Sequence, residues 1–130
     1  MNLFTSTIEL EIRQANRSFY DAIESLKIEQ MEDMWLNSET IQCIHPGWNE
    51  RIVGWHAVMK SWYAIFQNTQ YIEFNVSDFS CMIEGDLAVV NCTEKIMSAA
   101  GEEISNNEIL ATNVFQKSSN RWWLILHHGS

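Results

Sequence analysis

Three turn signals in the second half of the chain constrain its fold more than any other feature. Glu84-Gly85-Asp86, Ala100-Gly101-Glu102 and Ser118-Ser119-Asn120 divide the sequence after residue 70 into four long runs, 71–83, 87–99, 104–117 and 121–128. Each run carries the apolar content and spacing of a strand, and tight turns between such runs make antiparallel neighbours. In the first run Ile72, Phe74 and Val76 alternate, and the phase then changes toward Phe79 and Cys81, which predicts a β-bulge.

Helices come first. Over residues 6–27 the apolar positions Ile8, Ile12, Ala15, Phe19, Ala22, Ile23 and Leu26 step by three and four, which is one face of a long amphipathic helix. Thr5, Ser6 or Thr7 is the expected N-cap, with Glu9 placed as capping-box partner of Ser6. Residues 29–36 read as a short second helix with Met31, Met34 and Trp35 on its apolar side. Residues 40–44 read as a strand that Pro46 ends, because proline lacks an amide donor. Gly54 then opens a helix over 54–66, marked by Trp55, Val58, Met59, Trp62, Ile65 and Phe66. A run of helices followed by regularly spaced antiparallel strands is an α+β fold, and 130 residues make one domain, 1–130.

Composition excludes several partners. Eight Lys plus Arg against seventeen Asp plus Glu give a formal charge of -9, with the cations scattered, so no nucleic-acid surface is expected. No 18-residue apolar run and no signal-peptide pattern occur, so neither membrane insertion nor secretion is expected. Cys43, Cys81 and Cys92 each lie in an apolar run without metal-ligand spacing, and read as buried free thiols of a cytoplasmic protein. The histidines at 45, 56, 127 and 128 form no pair at a diagnostic helical spacing. Phosphate-binding, dinucleotide and zinc-protease motifs are absent from the sequence, so neither a metal nor a cofactor is expected. Six Trp and six Met point to large irregular apolar surfaces, such as a cavity or a subunit interface.

Polar residues on apolar strand faces locate the candidate site. Val90, Cys92, Glu94, Ile96 and Ser98 share a face, which leaves Glu94 hydrogen-bonded, solvated by a cavity or raised in pKa, unless that face is the solvated one. Asn113 is the polar exception among Ile109, Ala111 and Phe115. In the last run simple alternation groups Trp122, Leu124, Leu126 and His128 on one face and Trp123, Ile125 and His127 on the other. His45, where a strand must end, is expected at the mouth of a pocket, and His56 on a helix surface. A histidine and a carboxylate of raised pKa form an acid–base pair, and an amide can donate to an oxyanion. The face carrying Trp123 and Ile125 needs a cover, most simply a second subunit.

The order of these segments, with IHPGW followed by GWHAV and the terminal RWWLILHHGS, resembles the SnoaL-like domains of the nuclear-transport-factor-2-like superfamily, which also holds ketosteroid isomerase and scytalone dehydratase. The resemblance implies a cone, a curved antiparallel sheet wrapped around the N-terminal helices and enclosing a pocket, and a homodimer through the outer sheet face. It sets His45 where ketosteroid isomerase-like members carry an aspartate base before a proline, and Asn113 where they carry an acidic oxyanion donor. Their helix-one tyrosine corresponds to Tyr20 or is replaced by Phe19. Both departures disfavour steroid isomerisation itself. The expected function is small-molecule binding, as a cofactor-free isomerase, cyclase or dehydratase or as a non-catalytic binding or association domain. In that reading His45, Glu94, Asn113 and His128 carry the chemistry. A small hydrophobic or polar-aromatic ligand would sit among Tyr20, Trp35, Trp48, Trp55 and Trp62.

Overall fold

The computed structural model describes residues 3–130, with side chains described from Thr7 onward. Its elements are α1 (Leu3–Ser25), α2 (Ile28–Glu32), β1 (Gln42–Ile44), β2 (Ile52–Val53), α3 (Trp55–Gln67), β3 (Tyr71–Glu84), β4 (Leu87–Ala100), β5 (Glu103–Ser118) and β6 (Arg121–Gly129). The six strands form one curved, unclosed sheet in the order β2-β1-β6-β5-β4-β3, and α1 and α3 fill its concave side.

The three turn signals fall where expected. Gly85 and Gly101 take positive φ at the first two hairpins, and Ser119 and Asn120 do so at the third. The register of β3 against β4 shifts between Ser77 and Ser80, with Asp78 at φ 55, so the expected bulge is present. α1 buries Ile12, Phe19, Ala22 and Ile23 as its spacing requires, and also the polar Asn16 and Tyr20 on the same stripe. Leu26, in the left-handed region at φ 57, turns the chain out of the helix.

Four local expectations are corrected. α1 is already helical at Leu3, so Thr5, Ser6 and Thr7 lie inside the helix, and the side chains of Thr5 and Ser6 fall outside the described residues. α2 stops at Glu32 because Met34 and Trp35 are drawn into extended pairing with β6, with reciprocal bonds between Met34 or Leu36 and Leu124. β1 starts at Gln42 and runs parallel to β6, whereas the β1–β2, β3–β4, β4–β5 and β5–β6 pairs are antiparallel. The last strand does not alternate simply. Val114 pairs with Leu126 while Phe115 pairs with Leu124, leaving Ile125 as a bulge. Beyond that bulge the faces exchange, so His127 points inward and His128 outward.

Candidate functional site

The rim forms where β1 and β6 end together. Cys43 stands opposite His127 and Ile44 opposite His128, so His45 emerges one residue beyond the paired strands. Pro46 and Gly47 then make a tight turn closed by the Trp48 amide on the His45 carbonyl at 3.0 Å, with Gly47 at φ 80 as a type II turn requires. Gly129 permits this packing. A Cβ there would lie 2.7 Å from Pro46 Cγ, so the His-Pro-Gly segment and the C-terminal His-His-Gly segment touch only because position 129 lacks a side chain.

His45 is 2% exposed between two tryptophans, with ring centroids 4.6 Å from both Trp48 and Trp62, tilted against the first and perpendicular to the second. Its Nε2 lies 2.8 Å from Ser61 Oγ. The Ser61 hydroxyl proton is already given to the Val58 carbonyl at 2.6 Å, so Ser61 accepts and His45 Nε2 carries a proton. Burial lowers the His45 pKa to about 4, which keeps the ring neutral at physiological pH.

Glu94 is 1% exposed on the inner face of β4, as its alternation indicates. Burial pushes its carboxyl up to about 7, although the Tyr20 hydroxyl donates to Oε2 and partly offsets the rise. Tyr20 is held well above the ordinary phenol range, chiefly by burial and then by Glu94, so it stays protonated and donates. Its oxygen accepts from Asn113 Nδ2 at 3.1 Å, and the Cys92 sulfur lies at 3.4 Å. Asn113 also donates to Asn16 Oδ1 at 2.9 Å and accepts from His127 Nδ1 at 2.6 Å. His127 is buried at 2% exposure, and burial, then the neighbouring His45 and His128, lower its pKa to about 3. A continuous chain of hydrogen bonds therefore runs from His127 through Asn113 and Tyr20 to Glu94.

Both ends of that chain face a pocket of about 250 Å³. His45, Trp48, Trp62, Phe74, Ile109 and Ile72 supply much of its wall, and Glu94, His127, Asn107, Ser98 and Thr69 supply its polar groups. Among the described residues no lysine or arginine lines it. Among the described residues, the Nε1 atoms of Trp62 and Trp55 are buried without a hydrogen-bond partner. No group of three His, Cys, Asp or Glu residues among those described is placed to hold a metal ion.

Of the residues singled out in the sequence, His45, Glu94, Trp48 and Trp62 line this one pocket. The structure removes the others from direct contact. His128 is exposed on the outer face because of the Ile125 bulge, and His127 takes its place in the pocket. Asn113 and Tyr20 lie beneath the wall with their polar atoms committed to one another, so Asn113 has no N–H left for a bound oxyanion. Trp35 belongs to the core, donating to Met31 Sδ at 3.2 Å, and Trp55 packs against His56 at the start of α3. Asn16 and Ser61 also belong to these networks, and Asn16 sits one helical turn from both Ile12 and Tyr20 on the apolar stripe of α1.

The family profile for SnoaL-like domains matches residues 12–130. The chain belongs to the SnoaL-like family. A candidate dehydratase of the NTF2-like family from Streptomyces avermitilis is similar to this SnoaL-like domain over 96% of both chains, at 31% identity and TM-score 0.90. A candidate calcium/calmodulin-dependent protein kinase type II association domain from Thiobacillus denitrificans is similar at 27% identity and TM-score 0.77, over 89% of this chain and 90% of that one. The F-box protein SKIP8 of Arabidopsis thaliana is 29% identical over 119 residues, 92% of this chain. The domain spans about half the length of that curated relative, 48%.

Proposed function

We propose that this SnoaL-like domain binds a small uncharged molecule and catalyses cofactor-free proton transfer on it, as an isomerase, cyclase or dehydratase would. The observation that carries the reading is Glu94, a carboxyl raised to about 7 at the wall of an apolar pocket. A group that titrates near the working pH both takes and returns a proton readily. The base role moves from His45, which is neutral and donates to Ser61, to Glu94.

In this reading the Glu94 carboxylate removes a proton from the carbon beside a substrate carbonyl, leaving an enolate and a neutral Glu94. Trp62 lines the pocket, and its buried, unpartnered N–H would reach the enolate oxygen once the ring turns toward the bound substrate. Neutral Glu94 then returns its proton to a second carbon, completing an isomerisation, or to a departing hydroxyl, which leaves as water. An anionic ligand finds no counter-charge among the lining residues. At about 250 Å³ the pocket suits a ligand smaller than a typical drug molecule.

The test is hydrogen–deuterium exchange. Small cyclic ketones are incubated with the protein in D2O, and loss of the α-proton signal is followed by NMR. Exchange above background that disappears in Glu94→Gln supports the reading. Background exchange with every ketone, or exchange untouched by Glu94→Gln, contradicts it.

A second reading, an association domain, is favoured by the outer sheet face. Val89, Val114 and Leu126 pair across three strands there, and Leu110, four residues from Val114 on the same face of β5, is 69% exposed. We infer a homodimer that covers this row together with Trp123, while Ile125, at the bulge, packs against the core. Arg121 already stacks on Trp123 at 3.8 Å. Sedimentation velocity at micromolar concentration should show a dimer that Leu110→Asp dissociates, and a wild-type monomer would refute it. Among the described residues no helix is long and apolar enough to cross a membrane. We take the three unpaired cysteines to indicate the cytoplasm.

A further inference from the structure

Asn16 has no place in the chemistry above, yet it is 3% exposed and meets Asn113 across the core, 97 residues along the chain. An amide at Asn113 can face two ways. Facing as it does, its oxygen accepts from His127 Nδ1 and its nitrogen donates to Asn16 Oδ1 and Tyr20. Rotated by half a turn, it would set its own oxygen against Asn16 Oδ1 at the same 2.9 Å, two acceptors in contact without a proton. Asn16 presents its Oδ1 to Asn113 Nδ2, so the two buried amides meet as acceptor and donor.

We propose that Asn16 and Asn113 are positioning residues that lock His127 as the Nδ1–H tautomer and turn the Tyr20 hydroxyl proton onto Glu94. The consequence is a pocket with fixed roles. His127 has its proton on the buried side and a lone pair on Nε2. Glu94 has one oxygen held by Tyr20 and the other free. A buried polar network in which each member decides the next is costly to leave half satisfied, so the orientation propagates from Asn16 to both pocket groups. A ligand that donates a hydrogen bond, such as an alcohol or an enol, meets His127 Nε2 without any rearrangement. A ligand offering only acceptors does not. This inference rests on the pocket being the working site, but its test does not require any turnover.

The test uses protein labelled with ¹⁵N at histidine and long-range ¹H–¹⁵N correlation spectra near pH 7.5. Wild type should show His127 as a single Nδ1–H tautomer, with a pyrrole-type Nδ1 and a pyridine-type Nε2. Asn16→Asp keeps an acceptor and offers no donor, with Arg13 and Arg17 on the same α1–β3 cleft to balance its charge, so it should preserve that pattern. Asn16→Ala removes the acceptor and should lose the pattern, giving the averaged signals of mixed tautomers. A wild-type His127 protonated on Nε2, an Asn16→Ala protein with the wild-type pattern, or an Asn16→Asp protein without it would each overturn the proposal. Should Asn16→Ala fail to fold, the wild-type and Asn16→Asp spectra still decide. A locked tautomer with no ketone exchange would leave the lock standing and defeat only the catalytic reading.

Discussion

Replacing Glu94 by Gln should stabilise the protein at alkaline pH and change little in acid. The native carboxyl titrates near 7 against an ordinary value of 4.5, so between those values the folded state holds a proton that the unfolded chain has released. Stability from this group is therefore greatest below pH 4.5, falls as pH rises through the window, and is flat above 7. At about 1.4 kcal/mol per pH unit the whole window costs about 3 kcal/mol. Glutamine stays neutral at every pH and retains an oxygen to accept from Tyr20. The difference between Glu94→Gln and wild type should then be about 2 to 3 kcal/mol larger at pH 8.5 than at pH 5. Urea unfolding at fixed protein concentration reads this directly, and contributions from His45 and His127 cancel in the comparison. A difference that changes by under about 1 kcal/mol between the two pH values would refute a buried, raised Glu94.

Tyr20→Phe removes the hydrogen bond that partly offsets the burial of Glu94, so the Glu94 titration followed by ¹³C NMR should move above 7, and an unchanged midpoint would contradict the network. Ser61→Ala leaves the buried His45 Nε2–H with only the weakly accepting Cys43 sulfur at 3.7 Å and should cost about 1–3 kcal/mol in urea unfolding, with a neutral result arguing for the opposite tautomer. Gly129→Ala sets a methyl against the Pro46 ring and should destabilise by about 1–3 kcal/mol while displacing the His45 turn in a crystal structure. A stable variant with the turn in place would show that Pro46 yields freely.

Much of the fold was legible because turns and alternation are local. Gly85, Gly101 and the Ser119-Asn120 pair announce their hairpins, and the phase change after Val76 announces the β3 bulge. The β6 bulge had no such signal. From Trp122 to Leu126 every residue is apolar, so neither face is marked and a one-residue slip leaves no trace in the pattern. That slip decides which of two adjacent histidines enters the pocket. Glu94 was readable as a carboxylate on an apolar face, since β4 keeps its alternation through that point. Asn16 was readable in principle as the polar exception on an apolar helical stripe. The tautomers of His45 and His127 were not, because each depends on a partner distant in sequence, Ser61 or Asn113. The Trp residues separate by depth in the core, which spacing along a helix or turn does not encode.

The most direct measurement is a crystal structure of the protein soaked with matched small ring compounds, alcohols and ketones on one side and carboxylates on the other. Electron density is expected for the uncharged members against Trp48, Trp62 and Ile109, with an alcohol hydroxyl within hydrogen-bond reach of Glu94 or His127 and a ketone oxygen within reach of protonated Glu94. Carboxylates bound there in preference, or a pocket that stays without ligand while compounds settle elsewhere, would contradict it.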